Sequence, residues 1–449
     1  MRSRNDVDPG SNQMKTQAIE RVVVINDDCI RSGGAASVML TSLEQLRGRA
    51  VPTTLITGDS GDNPDLVRLG VEVIALKGRH ILEGNRIGAA LRGLYDPSMA
   101  AAVGNWIATR DTPGTIYHLH NWHKVLSPSV FVPLRKVASR LIISAHDYFL
   151  TCPNGGHYFF RQGKACNLSP MGPACLAASC DKRNYAHKLY RTARTAVRQL
   201  AFGLGKTPAT VLVVHDGMIP LFELGGVDRR TMHVLRNPAT PWTSSRVAAE
   251  RNRQFLFVGR LEVDKGVMLL ARAARRSGAS LRIIGTGPLS HELRRDFPEI
   301  ELTGWKSKQE IAQLCREARA LIMPSRWRET FGLVALEAAM SGIPIIASRA
   351  ALITEDLVRL QFAVPFQSDD EEGLARAMAA LMEDDVGVSR MSKRAFENAR
   401  LLAPSPETWC SELLSLYENK LAEANGPTFD RCAPAKQPSA FTLTHGMWR

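Results

Sequence analysis

Short apolar runs alternate with helix-like stretches along most of the chain, and the same alternation recurs in each half. In the first half, residues 22–25 form a β-branched run, a helix-like stretch follows, and residues 52–57 are the next strand candidate. In the second half, residues 255–258 precede a helix-like stretch near 267–275, and residues 281–284 are a further strand candidate. Strands that alternate with helices form parallel sheets with helices packed on both faces. The pattern therefore predicts an α/β protein with two parallel-sheet units.

Shifts in composition divide the chain into five parts. The N-terminal stretch is polar and without periodicity, so we expect it to be disordered. A proline-rich stretch at 237–242 predicts a linker between two domains. Near the C-terminus, apolar residues at helical spacing predict a docked helix, and the residues after it are predicted to be disordered. The predicted parts are 1–19, 20–236, 237–405, 406–425 and 426–449.

The composition is that of an ordinary globular protein. The chain has 449 residues, of which 45% are hydrophobic and 22% charged, and this length predicts more than one core. No apolar run reaches the roughly 18–20 residues that span a bilayer, and the first residues lack an apolar signal region. We therefore expect a cytoplasmic protein. The formal net charge of +13 favours anionic partners such as nucleotide phosphates, lipid head groups or nucleic acid.

One segment, from Glu329 to Glu337, places two carboxylates around the start of a predicted helix, with Gly332 at the turn. The start of a helix offers unpaired backbone N–H groups and the positive end of a dipole, which suits a phosphate. Carboxylates accept hydrogen bonds and suit the hydroxyls of a ribose or a hexose. The segment indicates a sugar-nucleotide site. A helix cap with a solvated or core-paired glutamate is the alternative.

Two further loops follow predicted strands in the second half. Arg260 offers a planar fork and Lys265 a compact cation, and both suit a diphosphate, although a surface turn with two solvated cations is the alternative. Gly285 and Gly287 allow a backbone to approach a ligand closely. Because the third glycine of a dinucleotide fingerprint is missing, this loop alone is a weak signal. Gly33-Gly34 and Asp59 suggest a dinucleotide-dependent oxidoreductase, but the G-x-G-x-x-G pattern is missing and this alternative explains nothing in the second half.

Taken together, these elements resemble a known family. The Gly-Arg-Leu-x3-Lys-Gly turn, the Gly-x-Gly-Pro loop, Pro324-Ser325 and the Glu-x7-Glu element occur in one order, as in the donor half of family 4 retaining glycosyltransferases of the GT-B fold. Gly33-Gly34 after the first strand and His146-Asp147 after a strand near mid-chain match the acceptor half. The resemblance covers residues 20–424. It implies two Rossmann-like domains that face each other across a cleft, the first on the acceptor side and the second binding the donor. The C-terminal helix is expected to cross back to the first domain.

The resemblance also implies roles for individual residues. Arg260 and Lys265 are expected to grip the donor diphosphate and neutralise the leaving group. Glu337 is expected to bind the ribose, Glu329 the transferred sugar, and His146 the donor sugar across the cleft. Backbone or loop contacts to the donor are implied for Gly33, Gly34, Gly287, Phe331, Gly332 and Leu333.

In the family, the leaving phosphate is thought to act as base for the incoming hydroxyl, so no cofactor or catalytic metal is implied. The carboxylate of Glu329 as a nucleophile, as in retaining glycosidases, stays open. The implied function is transfer of a sugar from a nucleoside diphosphate sugar to a carbohydrate or lipid-linked acceptor, in bacterial surface polysaccharide or glycolipid synthesis. A nucleotide-sugar epimerase of the same fold, and a non-catalytic protein that binds sugar nucleotides or membranes, are the alternatives.

Histidines and cysteines raise the question of a metal. His118 and His120 would lie on one strand face, and the resemblance implies that His120 lines the acceptor cleft, while structural and metal-binding roles stay open. A loop rich in proline and glycine carries four clustered cysteines, whose spacing is not that of paired zinc knuckles. Structural zinc, free thiols and disulfides all stay open for them. They are Cys152, Cys166, Cys175 and Cys180.

A basic stripe follows the cysteine-containing loop. Lys188, Arg191, Arg194 and Arg198 recur at three- and four-residue steps, which places them on one face of a predicted helix. A solvated face, or contact with an anionic membrane or a polyprenyl-diphosphate acceptor, would explain them. No aromatic-interleaved basic motif accompanies the stripe, so we expect no nucleic-acid partner. Peripheral contact with the inner face of a membrane is the corresponding expectation for location.

Overall fold

The computed structural model of the protein describes residues 18–31, 33–81 and 83–425. The predicted C-terminal tail lies outside these residues, and so does the predicted N-terminal tail except for its last two residues.

Strands form three sheets in the described part of the chain. They are β1 (Arg21–Asn26), β2 (Thr53–Thr57), β3 (Glu72–Ala75), β4 (Thr115–Leu119), β5 (Leu141–Ala145), β6 (Tyr158–Phe159), β7 (Lys164–Ala165), β8 (Thr210–Val213), β9 (Met232–Val234), β10 (Gln254–Val258), β11 (Leu281–Ile284), β12 (Glu301–Gly304), β13 (Ala318–Met323), β14 (Ile345–Ser348) and β15 (Ala363–Phe366).

Both large sheets are parallel. The first has the order β3-β2-β1-β4-β5-β8-β9, and the second has the order β12-β11-β10-β13-β14-β15. Their central strands are continuous apolar runs because helices cover both faces, and residues 22–25 of β1 are fully buried. The predicted α/β class with two parallel-sheet units is confirmed. β6 and β7 form a separate two-stranded antiparallel hairpin.

Helices connect the strands and cover the sheets. They are α1 (Gly34–Gly48), α2 (Pro64–Arg68), α3 (Arg86–Leu94), α4 (Pro97–Arg110), α5 (Phe131–Leu134), α6 (Pro173–Ala177), α7 (Tyr185–Ala201), α8 (Ile219–Leu224), α9 (Val267–Ser277), α10 (Ser290–Asp296), α11 (Lys308–Leu314), α12 (Leu333–Met340), α13 (Thr354–Arg359), α14 (Glu371–Glu383), α15 (Asp385–Asn398) and α16 (Pro406–Asn425).

The last helix, α16, packs on the first domain. Its Trp409, Leu413 and Tyr417 are buried in one cluster with Leu40 and Leu43 of α1. The chain therefore crosses twice between the domains, and the two crossings run side by side because the Ala239 N–H donates to the Pro404 carbonyl at 3.2 Å. Among the described residues, none of the helices combines the length and the apolar character needed to traverse a bilayer.

A long connection separates β5 from α7. It contains the β6–β7 hairpin and α6, and it carries all four clustered cysteines. We call residues 151–183 the cysteine insertion. It leaves the carboxyl edge of the first sheet and reaches the second domain, as its contacts below show.

Candidate active site

The topology places both halves of the site at the points where strand order reverses. The chain passes from β10 to β11 on one side of the second sheet and returns to β13 on the other side of β10, and β1 and β4 have the same relation in the first sheet. Loops after such strands diverge and leave a crevice at the carboxyl edge, where ligands of parallel sheets bind. The candidate residues lie in these loops.

Lys265 and Glu329 meet at this edge of the second sheet. Lys265 Nζ lies 3.0 Å from Glu329 Oε2, and the Ser325 hydroxyl hydrogen-bonds the same carboxylate oxygen. Gly266, at φ 73°, makes this contact possible, because a Cβ there would lie 2.0 Å from the Pro324 carbonyl oxygen. The two residues predicted to grip the diphosphate and to hold the transferred sugar therefore stand side by side.

Arg260 points elsewhere. Its guanidinium pairs with Glu262, with Nη1 2.8 Å from Oε1, and its side chain is 59% exposed. Lys182 of the cysteine insertion also approaches Glu262, with Nζ 3.5 Å from Oε2. The structure thus joins Lys265, and not Arg260, to Glu329.

The glycines of the next loop are required for backbone packing. A Cβ at Gly285 would lie 1.9 Å from the Gly259 carbonyl oxygen, and one at Gly287 would lie 2.5 Å from that of Leu261. The Leu261 N–H donates to the Thr286 carbonyl at 3.0 Å, which ties the two loops together. These glycines hold the loop of Arg260 in place, whatever their contact with a donor.

Helix α12 begins at the crevice. Gly332 adopts a left-handed conformation at φ 75°, and no side chain caps the first amides of the helix. The start of the helix faces the first domain, because a Cβ at Gly34 would lie 3.5 Å from Leu333 Cδ1. Thr330 Oγ1 also donates to the His146 carbonyl at 2.8 Å. The residues predicted to contact the donor therefore lie on facing sides of one crevice. Gly33 and Gly34 lie on one side, and Phe331, Gly332 and Leu333 lie on the other.

Glu337 lies one helical turn beyond Leu333. Its Oε2 accepts from Trp242 Nε1 at 3.3 Å, and Lys308 Nζ is 3.9 Å from Oε1. Burial raises the pKa of Glu337, although Lys308 and Trp242 act in the opposite direction. A largely buried carboxylate with few partners can still accept hydrogen bonds from a ribose.

Three histidines form a buried polar chain on the acceptor side. His120 Nδ1 lies 3.0 Å from His146 Nε2, while His118 contacts Tyr417 of α16 at 2.6 Å and Ser144 at 2.8 Å. Burial lowers the pKa of His118 to about 3 and that of His146 to about 4, so these rings are neutral near neutral pH. His120 Nε2 and His146 Nδ1 have no hydrogen-bond partner among the described residues.

The four predicted zinc ligands, Cys152, Cys166, Cys175 and Cys180, are buried around a lysine. The Lys188 ammonium donates to Cys175 Sγ at 3.3 Å, and it interacts with the other three thiols as well. In the part of the chain that the structure describes, no group of three or more His, Cys, Asp or Glu side chains is placed to hold a metal ion. As placed, with a cation in their midst, these thiols do not fit a zinc site, and structural zinc stays a prediction that a native mass spectrum can test.

The predicted basic stripe is real, but it does not face solvent or a membrane. Lys188, Arg194 and Arg198 are buried, and Arg191 pairs with Asp181 of the cysteine insertion at 3.2 Å. The interpretation as a solvated or lipid-binding cationic face is therefore wrong for these residues. Lys188, Arg194 and Arg198 donate hydrogen bonds inside the first domain instead, to Cys175 Sγ and to backbone carbonyls.

Contacts between the cysteine insertion and the second domain were not predicted. Arg328 Nη2 donates to Asn167 Oδ1 at 2.8 Å, and Lys182 Nζ lies 4.0 Å from Asp264 Oδ2. Arg328 directly precedes Glu329, and Asp264 directly precedes Lys265. No local pattern in the sequence marks such contacts, because they join residues far apart in the chain.

The family match lies in the second domain of the chain. Residues 252–384 match the family described as Glycosyl transferases group 1. The chain is 33% identical over 190 residues to a glycogen synthase of Mycobacterium tuberculosis, covering 38% of this chain and 45% of that protein. It is 29% identical over 235 residues to a D-inositol 3-phosphate glycosyltransferase of Corynebacterium glutamicum, covering 49% of this chain and 54% of that protein. The chain thus spans about half the length of these relatives.

The fold extends further than the sequence similarity. The structure of HepE from Anabaena, solved in complex with UDP, superposes with a TM-score of 0.62 at 14% identity and covers 89% of this chain and all of that one. At this sequence identity, the structural similarity to HepE shows a shared fold. The predicted GT-B architecture is confirmed.

Proposed function

Because the chain carries a glycosyl transferases group 1 domain over residues 252–384, we propose that the protein is a retaining glycosyltransferase. It moves a sugar from a nucleoside diphosphate sugar to a hydroxyl of an acceptor. The relatives support this reaction class, since one is named a glycogen synthase and the other a glycosyltransferase. The UDP bound to HepE supports a nucleotide-sugar donor.

The observation that carries the proposal is the contact between Lys265 and Glu329 at 3.0 Å. Departure of a nucleoside diphosphate leaves negative charge on its oxygens, and a fixed ammonium stabilises that charge. Glu329, positioned by Lys265 and the Ser325 hydroxyl, accepts hydrogen bonds from the hydroxyls of the transferred sugar. Arg260 has an exposed guanidinium that can turn from Glu262 to the diphosphate. The first amides of α12 provide further donors.

The opposite wall of the crevice holds the sugar through His146. This ring is neutral near neutral pH because burial lowers its pKa to about 4. A neutral imidazole exchanges a hydrogen bond with a sugar hydroxyl without adding charge next to the departing phosphate, once the buried and unpartnered Nδ1 of His146 turns toward the crevice. A phosphate oxygen of the leaving group then accepts the proton of the acceptor hydroxyl as that hydroxyl attacks from the same face. The anomeric configuration is retained.

The acceptor is a carbohydrate or a lipid-linked sugar of bacterial surface polysaccharide or glycolipid synthesis. The first domain supplies its side of the crevice, with His120 next to His146. Peripheral contact with the inner face of the membrane belongs to this proposal, and the net charge of +13 supports it.

A thermal-shift panel of UDP, GDP, ADP and their sugars tests the donor site. A ligand that binds only the folded state raises its stability by mass action, so one nucleotide is expected to raise the melting temperature of the wild type. Lys265→Ala is expected to reduce that shift and to lower kcat by about 100-fold or more. Lys393→Ala, at an exposed lysine on α15, is the matched control and is expected to behave as wild type.

Product analysis separates the proposal from its alternative. Incubation with donor and acceptor is expected to give a glycosylated acceptor only when both are present. An epimerised nucleotide-sugar formed from the donor alone would instead identify an epimerase. Absence of any nucleotide shift, or unchanged transfer by Lys265→Ala, would overturn the proposed donor site.

A further inference from the structure

The outward face of α7 is apolar. Leu189 and Leu200 are 49% and 85% exposed, and Tyr185 and Ala193 are exposed as well. Positions four and eleven residues apart lie on one face of a helix, so these side chains form a single stripe. A surface helix normally turns such a stripe toward the core.

Buried hydrogen bonds hold α7 in this reversed orientation. The Lys188 ammonium donates to Cys175 Sγ at 3.3 Å, and Arg198 Nη1 donates to the Phe202 carbonyl at 3.0 Å. Arg194 donates to two carbonyls, those of Gly93 and His123, each at 2.8 Å. Rotation of the helix to bury its leucines would break the bonds made by Lys188 and Arg194, whereas the bond of Arg198 is local and would turn with the helix. The apolar stripe is therefore fixed outward.

A second helix extends the exposed stripe. Ile87 and Leu91 of α3 lie four residues apart and are 72% and 61% exposed. α3 is bound to α7 through the Tyr190 hydroxyl, which donates to the Ala90 carbonyl at 3.0 Å. We call the exposed side chains of these helices the α3–α7 surface. It consists of Ile87, Leu91, Tyr185, Leu189, Ala193 and Leu200.

The exposed apolar side chains of the protein are concentrated on these two helices and are not scattered evenly over its surface. Fifteen large hydrophobic side chains are exposed in the described part of the chain, and seven of them belong to α3, to α7 or to residues adjoining them. Tyr95 follows α3 directly, and Leu176 is adjacent because its carbonyl accepts from the Tyr185 hydroxyl at 2.9 Å. Single exposed leucines are ordinary, but contiguous patches mark docking sites.

The charge around the α3–α7 surface identifies the partner. From residue 182 to residue 215 the chain has no acidic residue. Exposed cations near the surface are Arg86, Arg183 and Lys206, and the acidic Glu83 is exposed there as well. An apolar stripe with a cationic border matches the interface of an anionic bilayer, where apolar side chains enter the acyl region and cations lie among the head groups.

We propose that the α3–α7 surface docks the first domain on an anionic lipid bilayer. The leucines, the isoleucine and the tyrosine insert, while the border cations contact acidic head groups. The choice of the inner face of the membrane rests on the proposed function. The choice of the α3–α7 surface rests on the structure.

Co-sedimentation of the full chain with vesicles tests the proposal. The wild type is expected to bind vesicles of mixed phosphatidylcholine and phosphatidylglycerol, and to bind less as salt rises, while pure phosphatidylcholine binds weakly. Leu189→Glu combined with Leu200→Glu is expected to weaken binding by about ten-fold or more, because two carboxylates would enter the interface. Val386→Glu on α15, where the side chain is equally exposed, is the matched control and is expected to bind as wild type.

Separate readouts distinguish the possible failures. Both variants change exposed positions, so each is expected to keep the wild-type melting temperature and nucleotide shift. Loss of vesicle binding with an intact nucleotide shift supports the α3–α7 surface independently of transfer. Equal binding by the double variant and wild type, or no binding to anionic vesicles by the wild type, would overturn the proposal. So would a wild-type dimer that the double variant converts to a monomer, since the surface would then bind a second copy.

Discussion

Glu337 shows how a binding carboxylate is kept at a cost to stability. Its side chain is 17% exposed, and its contacts are the Trp242 indole at 3.3 Å and Lys308 at 3.9 Å. Burial raises its pKa, so the folded protein favours the neutral form more than the unfolded chain does. The stability that this preference contributes is present at pH values below the ordinary carboxyl pKa. It is lost as the pH rises through the raised pKa.

Glu337→Gln is accordingly expected to raise the free energy of unfolding of the ligand-free protein at neutral pH. The amide keeps an oxygen for the Trp242 indole but carries no buried charge. Urea denaturation at neutral and at mildly acidic pH measures this, and the advantage is expected to shrink at the lower pH. The same variant is expected to give a smaller nucleotide thermal shift.

Glu412→Gln, at an exposed position of α16, is the control and is expected to change neither quantity. A ligand-free Glu337→Gln protein less stable than wild type at neutral pH would contradict the assigned origin of the pKa shift.

Residue types and strand-end positions predicted the candidates of the site, but not the partner of each side chain. Lys265 and Glu329 follow strands on either side of a switch point, so their proximity follows from topology. Arg260 pairs with Glu262, two positions away. This pairing depends on the rotamer of Arg260, which no sequence motif determines. The bond from His118 to Tyr417 joins positions 299 residues apart and depends on where α16 docks.

At the scale of elements, α7 shows what periodicity can and cannot predict. Spacing of three and four residues placed its cations on one face, and the structure agrees. Spacing does not say which face is inside, and the interpretation of these cations as a solvated or membrane-facing face was wrong. The deciding contacts are hydrogen bonds of Arg194 to Gly93 and His123, 101 and 71 residues away, and of Lys188 to Cys175, 13 residues away.

Arg194→Met is expected to destabilise the protein by about 2–4 kcal/mol in the free energy of unfolding, because it leaves buried carbonyls without their donor. Arg194 is 7% exposed and also lies over the rings of Trp122 and Tyr190. Gln199→Met, on the exposed side of the same helix, is expected to change stability little. Chemical denaturation followed by circular dichroism compares the two. Equal stabilities would mean that these bonds do not hold α7 in its orientation.

For the whole molecule, local alternation of strands and helices was enough to predict both sheets and the fold class. The relation between the domains was predicted only through the resemblance, since the contacts that join them link distant positions. The cysteine insertion makes several of these contacts, through Lys182 and Asn167. For its four cysteines the sequence left structural zinc, free thiols and disulfides open, and the structure places them around Lys188.

The cysteine insertion grips the second domain beside the candidate catalytic residues. Lys182 lies 3.5 Å from Glu262 and 4.0 Å from Asp264, in the loop that carries Arg260 and Lys265. Lys182→Glu would place three carboxylates together, so the domains are expected to separate. Because exposed ion pairs contribute about 0–1 kcal/mol, we expect the KM for the donor to rise about two- to five-fold.

Small-angle scattering and steady-state kinetics measure the two effects together, and the radius of gyration of Lys182→Glu is expected to exceed that of the wild type. Raised salt is expected to move the wild type in the same direction, because a partly exposed pair is screened. Lys393→Glu makes the same charge change on α15, away from the insertion, and controls for net charge. If Lys182→Glu and Lys393→Glu share one KM and one radius of gyration, the insertion does not set the width of the crevice. The domains would then be held by the side-by-side crossings at Ala239 and Pro404 and by the contact of Thr330 with His146.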